Sequence, residues 1–168
     1  PGDRVGQYRL DLDADAVAVP MLIDAGFGVL SEESGRHHPE RDVCVVVDPV
    51  DGSTNASRGL PCWATSLCAV DGAGPWVAAV VDQVTATTYR AVRGSGAWSE
   101  RAGEVRELSV AEHVEIGAAI VAVNGRTDAW PESAQFRAYG SIAIELCLVA
   151  SGALDAVVNL DGDAHGPW

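Results

Sequence analysis

Asp48-Pro49-Val50-Asp51-Gly52-Ser53-Thr54-Asn55 is the stretch whose reading decides the fold. The apolar run Val43 to Val47 before it reads as a buried strand. Pro49 has a fixed φ and no N–H, and it holds Asp48 extended. Gly52 permits a turn that few other residues tolerate. Ser53, Thr54 and Asn55 are residue types that open or cap a helix. Two carboxylates therefore flank a stiff turn at a strand end, with free backbone N–H groups directly after them. Carboxylate oxygens suit hard divalent cations such as Mg²⁺, and N–H groups at a helix start suit phosphate. A plain Asp-Gly turn between two strands needs neither the second aspartate nor the hydroxyls.

Upstream, a polar and acidic segment from Arg9 to Asp15 leads into a helix read over Ala16–Asp24, with Val17 and Met21 spaced i, i+4 and Gly26 as its stop. Pro20 predicts a kink there, or a second short helix starting at that residue. Gly28-Val29-Leu30 reads as a strand that delivers Ser31-Glu32-Glu33-Ser34-Gly35, by itself an ordinary solvated loop. His37 and His38 read as surface loop, because adjacent side chains point apart and no third ligand is near.

Downstream, an antiparallel meander is expected over Cys62–Val70, Trp76–Asp82 and Thr87–Val92, with a short piece around Trp98. The second of these is nearly all apolar and predicts burial on both faces. Residues 99–114 read as charged and irregular, and a boundary between sub-domains 1–98 and 99–168 is placed there. Ile116–Val123 reads as a strand, 126–135 as loop and Phe136 to Tyr139 as briefly extended. Ile142 to Ala150 is the clearest helix, capped by Ser141 and closed by Gly152. Ala156–Asn159 is a last strand, and Asp161, Asp163 and His165 read as a glycine-rich turn rather than a metal cluster.

The 168 residues are 48% hydrophobic and 21% charged, enough for one ordinary domain with a sizeable core. A formal charge of −13 leaves no basic stripe for nucleic acid. An acidic protein handling a phosphate ester needs cations to neutralise the local field. Cys44, Cys62, Cys68 and Cys147 lack C-x-x-C spacing and read as core residues of a reducing, cytoplasmic compartment. No apolar run reaches membrane-spanning length, and Pro1-Gly2-Asp3-Arg4 is no signal peptide. Both ends read as cut.

Ligands from separate strand ends, Glu32 at one and Asp48 with Asp51 at another, can converge on a pair of divalent cations. Such a pair can activate a water and steady a leaving oxygen. On Glu32-Glu33-Ser34-Gly35, on the octapeptide, and on Gly140-Ser141…Glu145…Ala150-Ser151-Gly152…Asp155, the sequence resembles the inositol monophosphatase family of Mg²⁺-dependent, lithium-sensitive phosphatases. The resemblance implies a mixed α/β fold, a layered αβαβα sandwich whose C-terminal part is missing here. It implies hydrolysis of a small phosphate monoester by a homodimer using two or three Mg²⁺ per site, with Li⁺ inhibiting. Glu32, Asp48 and the Val50 carbonyl look like ligands of a first ion, and Asp48 with Asp51 like ligands of a second. Glu32 and Ser53 would position the attacking water, with Asp15 (or Asp13) hydrogen-bonded behind Ser53. The N–H groups of Gly52 and Ser53 would hold phosphate, and Gly140, Ser141 and Ile142 would line the alcohol side. The family's next motif pairs Trp with a metal-ligating Asp, and the sequence stops at Trp168. Asn159 falls near where relatives place a substrate-contacting acid.

Inositol monophosphate is the first expected substrate and histidinol phosphate the second, with fructose bisphosphate and nucleotide 3′-phosphates also used by relatives. Two other classes stay open. A haloacid-dehalogenase mechanism needs an aspartate nucleophile in Asp-x-Asp, whereas the aspartates here stand three apart. A non-catalytic metal-binding fragment would keep the fold without turnover.

Overall fold

The computed structural model describes residues 8–112, 114–125 and 132–160. Asp161, Asp163, His165, Trp168 and most of the expected 126–135 loop lie outside the described residues.

Helix α1 runs unbroken from Arg9 to Asp24 with Pro20 inside it. It therefore starts a full two turns before the expected Ala16. The acidic segment is its first half: the Tyr8 N–H donates to Asp11 Oδ2 at 2.9 Å, which satisfies one helix-start donor. Its inward face is Asp11, Asp15 and Val19, while Val17 and Met21 face solvent at 61% and 67% exposure. The i, i+4 apolar pair thus marked the outer face, and the buried stripe carries two aspartates.

Strands β1 (Gly28–Ser31), β2 (Gly35–His37) and β3 (Cys44–Asp51) follow, with the short helix α2 (Ser53–Arg58) directly after. β1 lies parallel to β3 and antiparallel to β2, so His37 sits in an edge strand rather than a loop. Next come β4 (Ala64–Asp71), β5 (Gly74–Asp82), β6 (Thr87–Val92), β7 (Gly96–Arg101) and β8 (Glu104–Glu107). The eight form one sheet in the order β2-β1-β3-β4-β5-β6-β7-β8. β4 starts at Ala64, after Cys62, which adopts φ +69°. The charged stretch after residue 99 is the β7–β8 hairpin. Its Glu and Arg residues stand on a sheet edge, where charge blocks further pairing. The first sheet therefore crosses the boundary expected near residue 99 and ends at Glu107.

Val19 of α1, Val29 of β1 and Val47 of β3 form the core beneath that helix, with Leu22, Ile23 and Leu67 against them. No residue of β5 is fully buried, contrary to the expectation from its apolar run. Helix α1 rests on β1 and β3, and α3 (Ile142–Ala150) rests on β4 and β5, so neither covers β5 completely. An apolar groove of about 220 Å³ remains beside α3, bordered by Ala78, Val80, Ala91, Ala97 and Leu146.

A second, parallel sheet has the order β10-β9-β11, from β9 (Ile120–Asn124), β10 (Gln135–Arg137) and β11 (Ala156–Asn159). Ile116–Ala118 is a 3₁₀ turn before β9, not part of it. Val121 and Val123 of β9 are fully buried with Ala119, as a central parallel strand requires. Helix α3 is capped by the Ser141 side chain and ends before Gly152, φ +72°. Its Glu145 is wholly buried, accepting from the Asn124 side-chain amide and, at 3.0 Å, from the Tyr139 N–H. Among the described residues no helix is long and apolar enough to cross a membrane.

Candidate functional site

The octapeptide is not a turn after a strand; β3 continues through it to Asp51. The ladder with β4 is regular from Cys44 to Asp48 and shifts before Asp51. A bulge there bends the strand and re-aims its side chains. Oδ1 of Asp48 accepts the Val50 N–H at 3.0 Å, and the Thr65 hydroxyl donates to the Pro49 carbonyl at 2.8 Å. Gly52, φ +91°, then turns the chain into α2. A Cβ at Gly52 would stand 2.9 Å from the Cys62 carbonyl oxygen and 3.1 Å from that of Gly140. Only glycine meets both demands.

The parallel pairing of β1 with β3 brings in the glutamate. Ser31 pairs with Val47, and the Glu32 N–H donates to the Val47 carbonyl at 3.1 Å, so Glu32 lands beside Asp48. The Glu32 carboxyl there disfavours the ionised form of Asp48. Burial above all, then the charges of Glu32 and Asp51, push the Asp48 carboxyl up to about 8.

Asp51 turns the other way. Its Oδ2 accepts from the Ser141 hydroxyl at 2.6 Å and from the Ala143 N–H at 2.7 Å, both at the start of α3. Burial raises its carboxyl, and these donors with the Ile142 N–H oppose the rise. Gly140, Ser141 and Ile142 thus stand beside Asp51 and Gly52, although about ninety residues separate the two stretches in sequence.

The expected hydrogen bond between Asp15 and Ser53 is not the one formed. The Ser53 hydroxyl donates to the Val50 carbonyl at 2.9 Å. Asp15 accepts instead from the hydroxyl of Ser31, which is wholly buried and itself accepts the N–H groups of Glu33 (3.0 Å) and Ser34 (3.3 Å). Asp15 therefore braces the turn that presents Glu32. Asp13, the alternative, lies on the surface in an ion pair with Arg9. His37 and His38 bond to Ser34 and Glu40, away from the acids. Burial pushes the Cys147 thiol up to about 12, which leaves it no nucleophile.

Sequence reasoning gave no role to Ser31 and took Asn55 only as a residue type that opens or caps a helix. Asn55 donates both amide hydrogens, to the Cys62 carbonyl at 2.8 Å and the Tyr139 carbonyl at 2.7 Å. Both act across long sequence separations, so no local pattern could reveal their partners.

Among the described residues no three acidic, His or Cys side chains already enclose a cation site, and Asp51 leans to α3. The donor set still fits a hard divalent ion: three carboxylates and the Val50 carbonyl, all oxygen. Like charges forced together until one keeps a proton to about 8 form the mismatch that a cation relieves.

The architecture and the site together define an α+β protein with carboxylates from two strand ends gathered beside a helix start. The chain belongs to the inositol monophosphatase family, whose model matches residues 23–168. It is 32% identical over 151 residues to a fructose-1,6-bisphosphatase/inositol-1-monophosphatase of Thermococcus kodakarensis, a match covering 90% of this chain and 58% of that protein. A structure from Pyrococcus horikoshii, described as a hypothetical protein with similarities to inositol-1 monophosphatase, superposes with a TM-score of 0.81 at 30% identity, covering 94% of this chain and 62% of its own. The SuhB structure of Mycobacterium tuberculosis gives 0.77 at 28% identity, covering 89% of this chain and 64% of its own. The chain thus spans about three-fifths of the length of these relatives.

Proposed function

We propose that this chain carries the metal- and phosphate-handling part of a metal-dependent phosphomonoesterase acting on a small phosphorylated metabolite, with inositol monophosphate the leading substrate. The observation that carries the reading is Glu32 set beside Asp48 by parallel pairing, with the charge of Asp51 also felt at Asp48. The matched relative named for both fructose-1,6-bisphosphatase and inositol-1-monophosphatase supports a sugar- or cyclitol-phosphate substrate.

Glu32, Asp48, Asp51 and the Val50 carbonyl would hold Mg²⁺, which supplies charge neutralisation of the phosphate and a water of lowered pKa. Glu32 would orient the attacking water and take its proton. Ser53, which donates to the Val50 carbonyl here, would share in orienting that water. The N–H groups of Gly52 and Ser53 would meet the phosphate oxygens, and Gly140 to Ile142 would face the alcohol part. Asp15 acts one step back, through Ser31. A homodimer and sensitivity to Li⁺ belong to the same reading.

The test is release of inorganic phosphate from inositol monophosphate, fructose 1,6-bisphosphate and histidinol phosphate, with Mg²⁺, with EDTA and with Li⁺, by the complete gene product. Mg²⁺-dependent release that Li⁺ suppresses is expected. No release from any ester by protein that binds Mg²⁺ would leave a non-catalytic metal-binding fold as the correct reading.

A further inference from the structure

Asp51 has two carboxylate oxygens, and the start of α3 commits one of them. Ser141 is 1% exposed, and its hydroxyl serves two partners. Its single hydrogen goes to Asp51 Oδ2 at 2.6 Å, and its oxygen accepts the Ile144 N–H at 3.4 Å as the helix cap. The Ala143 N–H donates to the same Oδ2 at 2.7 Å. The entry to α3 is in turn held against the octapeptide by Asn55, whose amide donates to the Tyr139 carbonyl. Its neighbour Gly140, φ +78°, leaves room for that amide: a Cβ there would stand 3.3 Å from Asn55 Nδ2. The octapeptide and residues 139–143 are thus locked twice, once at each end of the Gly52 turn.

We infer that Ser141 and Asn55 are positioning residues, which together fix the orientation in which the Asp51 carboxylate is offered to a divalent cation. The inference rests on the metal-centre reading above. Partners that orient a ligating carboxylate change metal affinity by about 10–100-fold when removed. A cap alone would change helix stability and leave ion binding untouched.

Mn²⁺ binding to the complete gene product, without substrate, is read from the electron paramagnetic resonance signal of the free ion at a temperature well below unfolding. Ser141→Ala and Asn55→Ala are each expected to weaken binding about tenfold. Ser141→Thr keeps both the donor and the acceptor and is expected to bind as the wild type does. Ser141→Cys keeps the volume with a much weaker donor; it carries the comparison if the alanine variant does not fold, and is expected to lose affinity as well. Wild-type affinity in every folded Ser141 and Asn55 variant would overturn the positioning role while leaving the metal centre standing. Absence of Mn²⁺ binding in the wild type itself would overturn the metal centre and this role together.

Discussion

Asp51 serves the site and the architecture at once, because its carboxylate faces the strand end on one side and the start of α3 on the other. Asp51→Asn keeps an acceptor for Ser141 and Ala143, so the fold should persist with an unchanged circular dichroism spectrum. It removes a charge from the proposed ion-binding set, worth several kcal/mol in metal-assisted hydrolysis. Turnover should therefore fall by about a thousandfold or more, read as phosphate release at saturating Mg²⁺. Gly52→Ala acts differently. A positive φ and a contact of 2.9 Å to a backbone oxygen should cost about 1–3 kcal/mol, seen as a lower urea midpoint. At this scale the octapeptide was legible because Asp, Pro and Gly impose local geometry. The error over Asp15 has an equally physical cause. Which hydroxyl a buried carboxylate meets depends on packing, and Ser31 stands closer than Ser53.

Among the elements, α1 and β3 depart most from what their residues suggest. Helix α1 tolerates Pro20 because that residue is exposed in the last part of the helix, where a lost hydrogen bond and a slight bend disturb no core contact. Pro20→Ala restores the missing N–H and should raise stability by about 1–3 kcal/mol, measured by urea denaturation. An unchanged midpoint would show that the native helix already accommodates the ring without strain. Periodicity misled over α1 because its buried stripe includes Asp11 and Asp15, which count as polar in any apolar pattern. It misled over β5 because a continuous apolar strand predicts cover on both faces, while α1 lies over β1 and β3 and α3 covers β5 only in part. Helix α3 was read correctly at both ends, since a serine cap and a glycine stop are local signals.

Over the whole molecule, the acidic groups divide into two sets with opposite pH behaviour. Asp48, and in the same direction Asp51, are raised by burial. In the absence of divalent ions, the folded protein keeps a proton on Asp48 that the unfolded chain has released above its ordinary value of 3.8. That contribution to stability is complete below about pH 4 and is lost as the pH rises through about 8. Exposed Asp71, beside Arg93, and Glu40 are lowered, so their smaller contribution is present above the ordinary carboxylate range and lost on further acidification. In EDTA the melting temperature should therefore decline between about pH 5 and pH 8, and Mg²⁺ should reverse most of that decline at pH 8. Scanning calorimetry across that range checks it, and a flat profile in EDTA would contradict the crowding of the three acids.

By itself the sequence determined the strand before Asp48, the helix after Ser141 and the meander, because each rests largely on signals within a few residues. Tertiary structure alone decided how the octapeptide is used. Parallel pairing of β1 with β3 sets Glu32 beside Asp48, and a bulge in β3 turns Asp51 away toward α3. The N-terminal end of α3, some ninety residues on, closes over Asp51. Register and helix docking follow from the burial of whole faces at once, and such cooperative choices leave no local mark on the residues that they bring together.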